Sequence, residues 1–461
     1  MIVHENFLFK EGYMNFVIIG GDAAGMSAAS RAKRTEPDMN VTVLEKTQDV
    51  SYSACGMPYN IADPQRSIDE LVVRHAQVFR EKQGIDLLTG YCVERIAPDT
   101  QQVTGTTADG KGFSFAYDKL LIATGASPVL PNVPGIDLPG VMGLKSLEDG
   151  RKIKQYIKEK QVRRVVVVGM GYIALEMCEA FRALDLEISM LKPNPTLLPW
   201  LESACARVVQ DELESHGIQL LFGQHLKAIE TYAGGMRAVC DDTVLDTDMV
   251  LIAMGVHPNS DIAGNAGIEL SLGDSIAVNK KLETSDGNIY AAGDCSDAFH
   301  VVTRSKVWIP LALRANRAGW AAADNVCGRE KELPGIAGTA VFKVFDLEVA
   351  RTGLNMKEAS EAGFDPVGVT VKTRSKAHAH PGNTTIYAHM VGDAKSGRLL
   401  GAQMVGREGV AHRINAPAVA LHAQMTVEQF SESDLAYAPP FGPTWDPMLT
   451  TANQLVKKLI Q

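Results

Sequence analysis

The seven cysteines of this chain form no CxxC or CxxxxC pair, and none stands with histidine at zinc-ligand spacing. A redox centre of two closely spaced cysteines is thereby excluded, and no metal ligand set can be named. An odd cysteine count in a chain of 461 residues fits a reduced, cytoplasmic protein better than one stapled by disulfides. No apolar run reaches the ~18 residues of a membrane span. Basic residues are not in excess: the formal net charge is −9, which argues against nucleic acid as a partner. Met1–Tyr13 has no long apolar stretch and carries both signs of charge, so it does not read as a signal peptide. Residues 1–13 are set apart as an N-terminal extension, because Met14 directly precedes the first strand signal.

What the chain does have is glycine in a telling order. Asn15–Gly20 (NFVIIG) is a short apolar run, followed by Gly21, Ala23, Ala24 and Gly25 and then by a small-residue helix sequence. Strand, glycine turn and helix in this order make a dinucleotide-binding unit. The box reads Gly20-x-Asp22-x-x-Gly25; the Asp in place of the middle glycine is expected to turn its side chain away or to cap the helix. The next strand, Asn40–Leu44, ends in Glu45, 20 residues after Gly25, where an acid holds a ribose hydroxyl. Ile68–Gly84 reads as one helix with Leu71, Val72, Val78 and Phe79 on its apolar face. Cys92, in a strand-like run, is expected in the core. A further strand stops at Thr124-Gly125.

The theme then repeats. Arg164–Val168 is an apolar strand, and Gly169-Met-Gly171-Tyr172-Ile173-Ala174-Leu-Glu176 opens a helix, a GxGxxA box. The strand that follows, Leu186–Leu191, ends in Lys192, where a cation suits a 2′-phosphate and so NADPH over NADH. A second stop, Met249–Gly255 with Pro258 beyond it, mirrors Thr124-Gly125 with Pro128. Two nucleotide-binding domains result, the second inserted in the first. Asn288–Asp294 returns as a strand with a Gly293-Asp294 end; Asp294 is expected to accept hydrogen bonds from a polyol. Ile309-Pro310 reads as the start of a long helix through Leu311, Ala312 and on to Asn325, its positive end suited to an anion.

From Gly335 the pattern changes to short alternating runs at Thr339–Phe345, Val367–Thr373, Thr384–Met390 and Leu399–Val405, with helices at Glu408–Ala423 and Val427–Ser431. No glycine box occurs there. The segment Ala436–Pro447 carries Tyr437, Phe441 and Trp445 among four prolines, a composition expected to lie against a second subunit.

Between the first two strands and the repeat lies Val50-Ser-Tyr-Ser53-Ala-Cys55-Gly-Met-Pro-Tyr59. Ser51 and Ser53 are candidate helix caps, which would place Cys55 in a first helical turn, where free N–H groups favour a thiolate. The plain alternative is a small buried core cysteine.

With two glycine boxes, two Gly stops, the Gly293-Asp294 end and Cys55, the chain resembles the FAD-dependent pyridine nucleotide–disulfide reductases. It is most similar to their single-cysteine branch of coenzyme A disulfide reductases, NADH oxidases and persulfide reductases, through Ser51-Tyr-Ser-Ala-Cys55-Gly-Met-Pro-Tyr. Arg413-Ile-Asn and His422-Ala-Gln-Met-Thr-Val-Glu look like that family's dimerisation domain. The resemblance implies an α/β fold: an FAD-binding domain (14–126 and 256–334), an inserted NAD(P)H-binding domain (127–255) and an α+β dimerisation domain (335–461). It implies FAD along Gly20, Gly21, Ala23, Ala24, Gly25, Glu45, Lys46, Ser53, Thr124, Gly125, Gly293, Asp294 and the helix start at Pro310, Leu311 and Ala312. It implies NADPH or NADH at Gly169, Gly171, Tyr172, Ile173, Glu176, Lys192 and Gly255.

The same resemblance implies a homodimer that reduces a small disulfide, persulfide or polysulfide through a thiolate at Cys55 whose pKa Lys46 helps to lower. His380 or Tyr437 of the other subunit would protonate the leaving thiolate. Coenzyme A is a further implied ligand, with Arg31, Arg66, Arg74 and Phe441 as substrate-binding candidates; as helix surface charges the arginines read equally well as solvated. The positions aligned with the branch's partner tyrosines hold Ala379 or His380, and Phe441. Oxidase members carry a His in the first box, where this chain has Ala23 and Ala24. The competing readings are an NAD(P)H oxidase, an NAD(P)H:electron-carrier reductase and a flavin-binding redox sensor.

Overall fold

The computed structural model describes residues 12–232 and 234–460, so the expected extension lies outside the described residues except for Gly12 and Tyr13. The first layer is a five-stranded parallel sheet in the order Ile289–Ala291, Lys119–Ile122, Asn15–Ile19, Asn40–Glu45, Asp86–Thr89. Its central strands are apolar on both faces, as parallel strands covered by helices must be. Helix Ala23–Thr35 follows the first strand and packs on helix Ala312–Val326. Small residues make this contact close: a Cβ on Gly319 would stand 2.2 Å from the carbonyl oxygen of Ala24.

The chain leaves this sheet after Ile122 and builds a second parallel sheet, ordered Gln219–Phe222, Glu187–Lys192, Arg164–Val168, Met249–Ile252, Val141–Met142. It then returns to the first sheet through Ile289–Ala291. The outgoing and returning segments pair as a two-stranded antiparallel ribbon, Ala126–Pro128 with Val256–Pro258. Asn259 latches this crossing: its side-chain amide donates to Thr124 O at 2.8 Å, and its own carbonyl accepts from Thr124 Oγ1 at 2.6 Å.

The last layer is a five-stranded antiparallel sheet, Ala340–Val344, Leu347–Gly353, Leu399–Gly406, Thr385–Asp393, Pro366–Arg374, with helices Asn415–His422, Val427–Ser431 and Pro447–Leu459. Strand Leu347–Gly353 is absent from the sequence reading; it is buried on both faces and shows no alternation to betray it.

Other expectations are corrected. Ile68–Gly84 is not one helix: a 3₁₀ turn, Ile68–Leu71, is closed by a Ser67–Glu70 capping box, and helix Ala76–Gln83 begins later. Between them Val72 bridges Tyr52 and Val73 N donates to Ser51 O, so β-branched residues take an extended path. The helix expected from Ile309-Pro310 starts at Ala312, because Leu311, its N-cap, is held in extended geometry at φ −142° and ψ 137°. The helix expected over Glu408–Ala423 is confined to Asn415–His422: Gly409 turns the chain at φ +78°, and the N–H groups of Val410 and Ala411 go to the Glu348 carboxylate instead of a helix ladder. Cys92, expected in the core, is exposed. Among the described residues no helix is long and apolar enough to cross a membrane.

Candidate active site

Cys55 lies in a 3₁₀ turn, Ala54–Gly56, that runs into the five-residue helix Met57–Ile61. The expected serine caps are not formed. Ser53 stands at the N-cap without a side-chain hydrogen bond, and Ser51 is held at φ +48° with its N–H on Gly21 O. Ser51 and Tyr52 thus tie the cysteine segment to the first glycine box, since Tyr52 N also donates to Asp22 Oδ1 at 3.3 Å. Asp22 makes no cap to its helix. Burial pushes its carboxyl up to about 6, opposed by the Tyr52 N–H and by Lys145.

The second box meets Cys55 from the other side. Tyr59 donates its phenol hydrogen to Glu176 Oε1 at 2.8 Å, and Tyr172 lies close enough for Cys55 to influence its titration. Cys55 is open to solvent, yet its thiol sits in a recess. Burial first, and then the Glu176 carboxylate, push its pKa above the ordinary thiol value; Lys145 pulls it down, and Asp294 and Asp22 add smaller upward pushes. This corrects the expected lowered thiol. Lys46 is exposed and is not among the groups that act on Cys55; the cation there is Lys145, whose Nζ donates to Asp294 Oδ2 at 2.9 Å. Nothing in the local sequence around Lys145 announces this, because the fold alone brings it to Asp294. Tyr59 did carry a signal, four residues past Cys55 in the same motif.

The first box is held from beneath. Glu45, buried, accepts Gly21 N–H at 2.7 Å and both Thr47 N–H and Thr47 Oγ1–H. The Gly293 carbonyl accepts from buried Arg314, and Trp308 donates to Asp294 O at 2.8 Å. Beyond Gly125, Gly171 and Gly255 an added Cβ would meet open space, so these backbones stand free to be approached. Lys192 Nζ donates to Thr196 O at 2.9 Å at the end of its strand.

Other candidates are placed elsewhere. Arg31 forks onto Asp324 at 2.8 and 3.0 Å, Arg66 pairs with Glu70 at 2.9 Å, and Arg74 is exposed. His380 and Tyr437 of the same chain are not among the groups that act on Cys55. His380 turns Nδ1 to Pro381 O, while Tyr437, Phe441 and Trp445 are exposed on a segment fastened by Arg413 to Phe441 O and Asp446. Glu212, His216 and Asp346 come together at another place, where Arg407 pairs with both carboxylates and occupies them.

Residues 14–319 match the family described as pyridine nucleotide-disulphide oxidoreductase, and residues 339–448 match that family's dimerisation domain. The chain belongs to this family. It is 38% identical over 440 residues to the NAD(P)H sulfur oxidoreductase (CoA-dependent) of Pyrococcus furiosus, covering 95% of this chain and 98% of that one. It is 33% identical over 447 residues to an NADH oxidase of Methanocaldococcus jannaschii, covering 97% and 99%. Among solved structures, a NAD-dependent persulfide reductase from A. fulgidus superposes with a TM-score of 0.93 at 36% identity, covering 96% of this chain and 83% of that chain. FAD and NAD(P)H are the cofactors of the family. The residues present fit them: two strand–glycine–helix turns offer N–H groups, and the open backbone at Gly125, Gly171 and Gly255 is a cradle that side chains would fill.

Proposed function

We propose that this protein uses NAD(P)H to reduce a small disulfide, persulfide or polysulfide through Cys55, in the manner of a coenzyme A disulfide or persulfide reductase. One observation carries the reading. Of the seven cysteines, Cys55 is the one that is both exposed and flanked by residues of the two glycine boxes, Asp22 on one side and Glu176 with Tyr172 on the other. The relatives from Pyrococcus furiosus and A. fulgidus, named for sulfur and persulfide chemistry, support it.

Gly20–Gly25, Glu45 and Asp294 would hold the FAD, and Gly169–Glu176 the nicotinamide nucleotide. FAD supplies two-electron transfer between NAD(P)H and sulfur. Cys55 as thiolate attacks one sulfur of the substrate R–S–S–R; the S–S bond breaks, an R–S–Cys55 bond forms, and RS⁻ leaves with its electron pair. Two electrons from NAD(P)H then cleave the mixed disulfide, releasing the second RS⁻ and restoring the thiolate. The balance is NAD(P)H + H⁺ + RSSR → NAD(P)⁺ + 2 RSH. Lys145 stabilises the negative sulfur, and the Glu176 carboxylate opposes it. The chain acts as a homodimer through its dimerisation domain, with the exposed Tyr437 and Phe441 and the half-buried His380 facing the neighbouring subunit's site as acid and substrate contacts.

Cys55→Ser tests this. Thiol release from coenzyme A disulfide or polysulfide is expected to fall at least ~10³-fold while FAD stays bound and NAD(P)H still bleaches it. A variant that kept full thiol release would overturn the reading. The Methanocaldococcus relative favours oxygen as a rival acceptor. Oxygen consumption that survives Cys55→Ser at wild-type rate would select that reading.

A further inference from the structure

The cysteine segment begins in the first sheet's unit, where Val50 joins the core and Ser51 and Tyr52 bond the first glycine box, but its helix packs against the other unit. Met57, Ile61 and Ile68 are buried in the core built by Leu147, Ile153, Val165 and their neighbours of the second sheet, and Tyr52, Ala54, Leu71 and Val72 lean on that same core. Beyond Tyr52 its polar ties to helix 147–160 run the same way. One helix of the second unit, Leu147–Lys160, presents Arg151 and Lys154 one turn apart. Arg151 forks onto Asp49 at 2.7 Å through both terminal nitrogens and reaches Asp69 Oδ1 at 2.6 Å, so it binds the two ends of the segment 49–69. Lys154 Nζ lies among four oxygens between those ends: Asn60 O at 2.9 Å, Asn60 Oδ1 at 3.1 Å, Asp63 O at 2.7 Å and Arg66 O at 2.6 Å.

A five-residue helix cannot stand by itself, because its few hydrogen bonds do not offset the cost of nucleation. Helix Met57–Ile61 therefore depends on what holds its ends. Its carbonyl end carries the negative side of the backbone dipoles, and Lys154 is the cation placed there. Asn60, fully buried, shares the arrangement by donating to Ser67 O at 2.8 Å.

We propose that Lys154, assisted by Arg151, is a positioning residue for Cys55: it fixes the cysteine helix to the NAD(P)H-side unit, so that the sulfur keeps its place relative to the second glycine box. This rests on the reading of Cys55 as the redox-active thiol. Neither residue touches the sulfur, and hydride delivery to FAD does not involve them.

The test uses the full-length, FAD-loaded enzyme. Lys154→Met is expected to keep NAD(P)H-dependent ferricyanide reduction within twofold of wild type. Reduction of coenzyme A disulfide or polysulfide should fall about tenfold in kcat, the scale on which a displaced reacting group costs rate. The pH profile of Cys55 alkylation by iodoacetamide should move, and Lys154→Arg, which restores a multi-donor cation, should recover most of both losses. Arg151→Gln should show the same split more weakly. Equal loss of both activities, or an unchanged alkylation profile with unchanged sulfur turnover, overturns the proposal. Hydrogen exchange on the wild type reads the same claim without a variant: amides 57–66 should exchange in step with helix 147–160, and independent exchange overturns it. If Cys55→Ser retains sulfur reduction, the functional reading fails; if Cys55→Ser is dead and Lys154→Met is normal, only the positioning role fails.

Discussion

The two glycine boxes solve the same turn and then part company. Gly20 and Gly169 sit at φ +109° and +116°, and a Cβ on either would stand 2.2 Å from a carbonyl oxygen of the neighbouring strand end, Ala123 or Ala253. At the second position, Gly171 leaves open space while Asp22 brings a half-buried carboxyl toward the cysteine segment. At the third, Ala174 tolerates its methyl in a fully buried place, whereas a Cβ on Gly25 would lie 1.9 Å from Gly20 O. Seven residues after the first glycine, Ser27 bonds Asn316 within its own layer and Glu176 reaches out to Tyr59. The lesson is that strand and turn are shared, while the helix face decides whether a box closes on its own unit or reaches the reactive sulfur.

The largest break in this comparison is Gly25→Ala. The methyl meets backbone, which cannot swing away, so the helix must shift by more than an ordinary overpacking that costs about 1–3 kcal/mol. The purified variant is expected to lose most of its bound flavin, read as the ratio of 450 nm to 280 nm absorbance. Ala174→Gly in the other box removes a methyl and a helix-favouring residue for ~1 kcal/mol and should still bind NAD(P)H. Normal flavin content in Gly25→Ala would show that the first helix has room the geometry denies.

A smaller effect follows from Glu176. After burial, its carboxylate is the chief cause of the raised Cys55 thiol pKa. Only the thiolate attacks, so alkylation climbs as pH rises through that pKa. Glu176→Gln removes the repulsion, lowers the pKa and moves the climb to lower pH; at neutral pH the variant should alkylate severalfold faster. Tyr59→Phe should act in the opposite sense, because Glu176 loses the donor that shares its charge. An unshifted profile in Glu176→Gln would mean that the second box does not set the sulfur's charge.

Much of this was readable before the fold. The β-branched strands, both glycine turns and the Cys55 motif are local patterns, and local patterns survive translation into structure. Lys145, Lys154 and Arg151 were not readable. Each is a helix-region cation with the composition of a solvated face, and its partner lies far along the chain: Asp294 for Lys145, Asn60 and Arg66 for Lys154. Arg31 was hidden for the mirror reason: it read as a substrate contact or a solvated face, and its ion partner Asp324, which accepts from Nε and Nη2, lies 293 residues away. The direction of the Cys55 pKa was missed because a motif shows neighbours in sequence and says nothing of the carboxylate that folds over them.

The finest difference between the boxes is the residue that ends the second strand of each, Glu45 against Lys192. Glu45 is committed to Gly21 N–H and Thr47, which fixes an acceptor beside the first turn. Lys192 donates to Thr196 O, and partial burial lowers its pKa. A cation in that place favours a 2′-phosphate by Coulomb attraction, reduced because solvent and salt reach the group. Lys192→Glu should therefore raise the KM for NADPH by about fivefold over that for NADH, roughly 1 kcal/mol, with kcat nearly unchanged. The gap should shrink as ionic strength rises. Equal KM changes for both nucleotides would place Lys192 outside the 2′-phosphate's reach, and the second box would then discriminate by nothing in its strand end.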